Sequence, residues 1–310
     1  MSAKSDEAAD SCQPTLGNAE NEALQHMEMG LTIRGATYIA AAVTLLCSPV
    51  VAASSSSNAI PDLSAGGAAW RNTHNDFILP KTGAGPVTWD PAHPYYGNGD
   101  GHPPTSRVAD LSNPILMPWV KEALQKFNAD ALAGKPQFTP IARCWPNGVP
   151  GAILLRLNPL FIVQTNKEVL FLYQSDHQVR HIYMNVPHSE NVSPSWYGES
   201  IGHYEGDTLV VDTVGVTTKV AVDYYLTRHT DKLHVVERYR LLDDGRTLEV
   251  TFTVDDPGAF TVPWSASQRY QKVAQTPMEE VVCAEGEAFA PIQDPQQALY
   301  PIPRAAVSDF

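Results

Sequence analysis

Basic side chains are scarce in this sequence of 310 residues: 21 Lys and Arg stand against 34 Asp and Glu, a formal charge of −13. No run of Lys or Arg interrupts that acidic balance. A polyanion meets net repulsion from such a chain, so a nucleic-acid partner is not expected. Long hydrophobic runs are missing too. The main apolar stretch, Ala36 to Cys47, falls short of the roughly 20 residues that a membrane-crossing helix needs. Gly-rich phosphate loops, dinucleotide fingerprints and Cys-x-x-Cys pairs are absent, which removes the commonest cofactors, and none is expected. Cysteine is rare, with 4 in the whole chain.

The short apolar stretch sets the expected compartment. Arg34 precedes it, Pro49 breaks it, and Val51-Ala52-Ala53 supplies small residues before Ser54 to Ser57. That order resembles a secretory signal peptide, so residues 1–53 are expected to be a leader and the mature protein periplasmic or secreted. An acidic segment lies ahead of the stretch; a start at Met27 or Met29 would leave Arg34 as the basic region. Loss of residues 1–53 removes 2 basic and 6 acidic side chains and leaves a net charge of −9. It also leaves two cysteines, Cys144 and Cys283. In an oxidising compartment these suit a disulfide, worth on the order of 4 kcal/mol by loop entropy. Two buried thiols are the other reading.

From Ser54 to Pro114 the chain is rich in Ser, Gly, Asn and Pro and carries no apolar period. It reads as an extended arm lying across the rest, with His74, His93 and His102 as loop residues. Pro118 to Leu132 is the one expected helix. Pro118 suits the first helical position, Val120, Leu124, Phe127 and Ala131 recur at helical spacing, and Gly134 stops the run. Arm and helix together make up residues 54–140.

Residues 141–287 carry strand patterns joined mostly by turn residues. The expected strands are Phe161–Thr165, Glu168–Gln174, Val179–Val186, Thr208–Val214, Leu233–Leu242, Thr247–Val254, Trp264–Val273 and Glu279–Glu285. Eight short strands without intervening helices argue for an all-β fold, an antiparallel meander closed into a lipocalin-like barrel, with a sandwich as the other form. Residues 288–310 form a C-terminal tail. Asp244-Gly245 at the centre of a two-residue turn pairs Leu241 with Leu248, Tyr239 with Val250, Glu237 with Phe252 and Val235 with Val254. The other face then pairs Arg240 with Glu249, Arg238 with Thr251 and His234 with Asp255. This register turns Glu237 toward the core, where its pKa rises unless a cation pairs with it.

The stretch from Gly198 to Gly215 holds the densest polar chemistry next to an apolar strand. His203 and Glu205, two apart on a strand, share one face. Gly198-Glu-Ser-Ile-Gly202 matches Gly-x-Ser-x-Gly, but a strand follows where a nucleophile elbow needs a helix, so Ser200 is expected to be a turn residue rather than a nucleophile.

Several stretches recur together in a known group. These are Arg143-Cys-Trp-Pro-Asn-Gly-Val-Pro150, Ile162-Val-Gln-Thr165, Val179-Arg-His-Ile-Tyr183, Trp196 to Thr213, Leu233-His-Val-Val-Glu-Arg-Tyr239 and Asp255-Asp-Pro-Gly-Ala-Phe260. Over roughly residues 140 to 285 the chain resembles a large group of uncharacterised exported bacterial proteins sharing W-x-G-x-S-x-G-x-[WY]-E-G-D-T-L-V-V-D-T. The resemblance implies export and leaves the activity open. The chain departs from the group at Asn185-Val186-Pro187-His188, at Tyr204 and at Arg228-His229-Thr230-Asp231.

Six of ten histidines, 177, 181, 188, 203, 229 and 234, fall in one third of the mature chain. The expected function is binding of a small, largely apolar molecule inside the barrel, with Tyr239, Phe252, Tyr183 and Trp264 lining the site. The alternative is a cofactor-free acid–base enzyme, a lyase, isomerase or hydrolase, using Glu237 with His203 or His188. A metal site of His188, His203 and Glu205 fits no known zinc spacing. In the plainest reading Glu237 pairs with a core arginine and the histidines line loops. An envelope structural or interaction protein is the remaining class, favoured by a barrel filled with side chains.

Overall fold

The computed structural model describes residues 60–97, 105–135, 139–140, 143–155, 159–274 and 277–283. All belong to one compact unit, Ser56–Phe310. The leader and the C-terminal tail expected from the sequence lie outside the described residues, as does His102. Nine strands among them close into a barrel in chain order. They are β1 (Ala69–Asn72), β2 (Leu160–Gln164), β3 (Glu168–Tyr173), β4 (Gln178–Met184), β5 (Glu199–Glu205), β6 (Thr208–Val214), β7 (His234–Leu242), β8 (Thr247–Asp255) and β9 (Trp264–Val273). The protein is therefore an all-β barrel with, among the described residues, one α-helix, α1 (Pro118–Leu132), whose bounds match the apolar spacing.

The β7–β8 hairpin adopts the register that alternation demands, with Leu241 opposite Leu248, Glu237 opposite Phe252 and His234 opposite Asp255. Its turn uses Asp244 at φ 55° and Gly245 at φ 80°, and the Arg246 N–H closes it on the Asp243 carbonyl. Asp243 is left-handed as well, at φ 53°, and the last strand pair is Leu242 with Thr247, so the loop has four residues rather than the expected two while the strand register is kept.

Three expectations need correction. The meander is not wholly antiparallel: β4 and β5 run parallel, with Ile182 opposite Ser200 and Met184 opposite Gly202. Parallel neighbours need a crossover, and residues 185–198 provide it along the outside of the barrel. Secondly, residues 279–283 form no strand. The edge of β9 is already taken by β1, from Ala69 opposite Val273 to Asn72 opposite Tyr270. Thirdly, the arm is part of the barrel wall and core. Trp70 of β1 is wholly buried and donates its indole N–H to the Leu63 carbonyl. Phe77 packs edge-on against Phe252 with ring centroids 4.9 Å apart.

Inward-facing positions fill the lumen with large side chains. Trp70, Phe171, Tyr239, Phe252, Trp264 and Tyr270 are all buried there, and packing of this kind excludes water rather than enclosing a pool of it. The register also gives the two barrel ends different characters. Tight turns at 165–167, 206–207 and 243–246 close one end. The long connections 215–233 and 256–263 and the described parts of 73–117 gather at the other, with the buried 3₁₀ turn Gly151–Leu154. Helix α1 rests on this loop end: Met117 N–H and the Trp119 indole N–H bond the carbonyls of Ala259 and Gly258, and Asn128 pairs twice with the backbone of Ala109. Cys144 and Cys283 are joined, with Cα atoms 5.5 Å apart.

Candidate functional site

The inward side chains of β4 to β7 meet in one polar network. Arg180 donates from Nη1 to Glu237 Oε1 at 3.0 Å and from Nη2 to Glu237 Oε2. It also donates to the Ser200 and Thr213 hydroxyls at 3.1 and 2.8 Å, and the Tyr239 hydroxyl donates to Glu237 Oε1 at 2.7 Å. Arg180 and Glu237 are 1% and 0% exposed. Burial works against the Arg180 charge, but Glu237 outweighs it and holds the guanidinium pKa above its ordinary value. Burial pushes the Tyr173 hydroxyl up to about 12. The cation that the sequence left open is therefore present, and Glu237 is held bidentately as one strut of a closed network.

The proposed histidine partners stand on the other side of the wall. His203 lies on the outer face of β5 and meets Glu205 at 3.1 Å, which is itself held by Arg238 at 2.7 Å. The face shared by His203 and Glu205 is the one their spacing implied, but Glu237 points inward from β7 and no proton passes directly between them. His188 sits in the crossover. Its Nδ1 meets Glu199 Oε1 and its Nε2 meets Asp212 Oδ1, both at 3.0 Å, while His234 Nε2 meets the same Asp212 oxygen at 2.9 Å. The His234 bond holds the Asp212 carboxyl below its usual range, and Asp212 in turn raises His234. His188 pins the crossover to β5 and β6, and His234 ties β7 to the same Asp212. His188 is thus separated from His203 and Glu205, and among the described residues no His, Cys, Asp or Glu group is arranged to hold a metal ion. Of the expected ligand-lining residues, Tyr239, Phe252 and Trp264 are packed in the lumen. Tyr183 is on the outer face, 46% exposed, and stacks on His181.

A different cluster forms at the loop end, from segments that carry no strand period. Asp223 Oδ1 accepts the backbone N–H groups of Tyr225 and Thr227 at 2.9 and 3.1 Å. The turn is closed by Val222 N–H on the Thr227 carbonyl, with Leu226 in the left-handed region at φ 66°, a strained setting for a bulky residue. Asp223 is 4% exposed, and neither its Oδ2 nor the adjacent Thr227 hydroxyl has a hydrogen bond of good geometry among the described residues, although the two lie close enough for the hydroxyl to favour the carboxylate. Burial raises its pKa to about 6, with Asp76 adding to the rise and the nearby Thr227 hydroxyl and backbone N–H groups opposing it. Beside it, the Tyr225 hydroxyl donates to Asp76 Oδ1 at 3.2 Å. Arg107 grips the same carboxylate and lies 3.9 Å from the Tyr95 ring centroid, with Tyr224 and Tyr225 at 5.3 and 5.5 Å. Tyr224 donates to the Leu154 carbonyl at 3.1 Å and lies beside the buried Asn147. Asp76 is 32% exposed on its side chain, so the cluster runs from solvent to the buried Asp223.

None of these residues stood out by motif. The one available signal was a carboxylate inside the apolar run Val220 to Leu226, a segment with neither strand nor helix spacing. Barrel and loop cluster together define a class: a closed, core-filled β-barrel whose free polar groups are gathered in the loops of one end. Beyond that class, no known family model matches the sequence, and no curated protein matches it significantly.

Proposed function

We propose that this is an exported protein that binds a small, largely apolar molecule carrying a hydrogen-bond donor at the loop end of the barrel. The observation that carries the reading is Asp223, a buried carboxylate with one oxygen left unpaired. Such an atom loses its hydration without compensation, and a ligand hydroxyl or amine supplies the missing bond. Tyr95, Tyr224 and Tyr225 around Arg107 offer aromatic faces for the apolar body. The packed lumen on its own favours the structural or interaction class over a ligand inside the barrel. The binding reading rests on Asp223 at the rim, and a protein found without any bound compound returns the weight to that class.

Native mass spectrometry of the exported protein, followed by a thermal-shift screen with small hydroxylated aromatics, tests the reading. A retained or stabilising compound whose effect is lost in Asp223→Asn supports it. A bare polypeptide mass together with no compound that distinguishes Asp223→Asn from wild type overturns it.

A second reading is favoured by the pKa of about 6 at Asp223, which suits a general base near neutrality. It moves the acid–base role from Glu237 to Asp223. Turnover of a bound compound with a rate rising through pH 6, and abolished in Asp223→Asn, would establish it.

A further inference from the structure

A second feature of the loop end stands apart from the Asp223 cluster. Arg143 lies with its guanidinium carbon 5.0 Å from the Trp145 ring centroid. Trp145 and Trp196 stand 5.4 Å apart, tilted at 45°, and the Lys219 ammonium is 5.7 Å from the Trp196 ring. Arg228 lies 5.5 Å from the Phe127 ring, close enough to Arg143 that the two charges repel and, after burial, help lower the Arg228 pKa. The contacts therefore run in one strip, Phe127, Arg228, Arg143, Trp145, Trp196 and Lys219, with a pair of tryptophan rings flanked by cations at both ends. Arg143 and Lys219 are exposed, while both tryptophans and Arg228 are half-buried.

Two features of this strip point outward from the protein. In a chain of net charge −13, carboxylates are the commoner charged groups, yet neither Lys219 nor Arg228 makes an ion pair among the described residues. Half-burying Arg228 beside another guanidinium is unfavourable until an anion arrives. Further, the strip is assembled from four separate segments: the one anchored by the Cys144–Cys283 bond, the end of the crossover, the 215–233 loop and α1. The Trp196 carbonyl lies within 2.9 Å of the Cβ position of Gly148, so the segments bearing Trp145 and Trp196 are locked together at a point where no larger residue fits.

We infer that this strip is a docking surface for an anionic saccharide of low charge density, such as a uronate-containing oligosaccharide. Sugar rings present C–H faces that lie flat on tryptophan, and carboxylates spaced along them meet the flanking cations. The charge balance selects against a dense polyanion. Nucleic acid carries one negative charge per roughly 1.7 Å of duplex, and the acidic remainder of the protein repels such a density.

Tryptophan fluorescence titration with a hyaluronan hexasaccharide, which carries one glucuronate per disaccharide, tests the inference. A saturable change is expected, weakening with added salt. Trp196→Ala should weaken binding roughly tenfold, and Lys219→Gln and Arg228→Gln several-fold each. Lys219 is exposed, so its variant keeps the test valid if Trp196→Ala fails to fold, as judged by thermal melting. Equal binding of neutral cellohexaose would overturn the inference, as would tighter binding of an oligothymidylate or unaltered affinity in Lys219→Gln and Arg228→Gln. Asp223→Asn should leave this titration unchanged, which separates the strip from the small-molecule site.

Discussion

Asp223 shows what one buried carboxylate does to the protein's pH response. Its ordinary value is 3.8 and burial raises it to about 6, so the folded state holds the proton more tightly than the unfolded chain. The sign follows: stability is full below about pH 4 and declines as pH rises through 6, by roughly 3 kcal/mol. Asp223→Asn should flatten urea-unfolding stability between pH 4 and 7, and a slope unchanged from wild type would remove Asp223 from that role. The Arg180–Glu237 pair behaves differently. Glu237→Gln or Arg180→Met leaves its partner's charge buried and unmatched, which costs on the order of 3–5 kcal/mol. Replacing both, as Arg180→Met with Glu237→Leu, should cost less than either single change. Denaturant midpoints for the three variants check this, and a cycle that simply adds would show that the pair is uncoupled.

At the scale of elements, the crossover 185–198 is the least conventional piece of the barrel, and side chains secure it. Asp212 has a depressed pKa and contributes above its ordinary range, losing effect as pH falls through its folded value. His234 has a raised pKa and contributes below about 6.5, losing effect as pH rises through its folded value. Both hold together in the mildly acidic range. With these side chains 37% and 40% exposed, solvent screening limits the pair to under about 1 kcal/mol. Hydrogen exchange of residues 185–198, corrected for intrinsic rates, should speed in Asp212→Asn and in His188→Ala, which remove the two ends of the same contact. Equal protection in wild type and both variants would argue against the clamp. The β7–β8 turn offers a contrasting case. Gly245 at φ 80° has open space around it, so Gly245→Ala should cost only the left-handed backbone term, about 1–2 kcal/mol, as read from the shift in melting temperature.

For the whole molecule, the Cys144–Cys283 bond spans 139 positions and ties the loop end to the chain beyond β9. Reduction should destabilise the protein by up to ~5 kcal/mol by the loop-entropy argument. A melting temperature unaffected by reductant would mean that the unfolded chain gains little freedom there.

Local pattern by itself determined much of this protein. Helix α1 was legible because four apolar residues and two helix breakers lie within one continuous segment. The β7–β8 register was legible because strand alternation and an Asp-Gly turn act over a few residues, and those same rules turned Glu237 inward. Only the tertiary structure decided that Arg180 would meet Glu237, 57 positions away, that Ala69–Asn72 would close the barrel, and that β4 and β5 would run parallel. The loop cluster belongs with these. Asp76, Arg107 and Asp223 lie in segments with no period: Arg107 reaches Asp76 across 31 positions and Tyr225 reaches it across 149, long-range closures that no local spacing encodes.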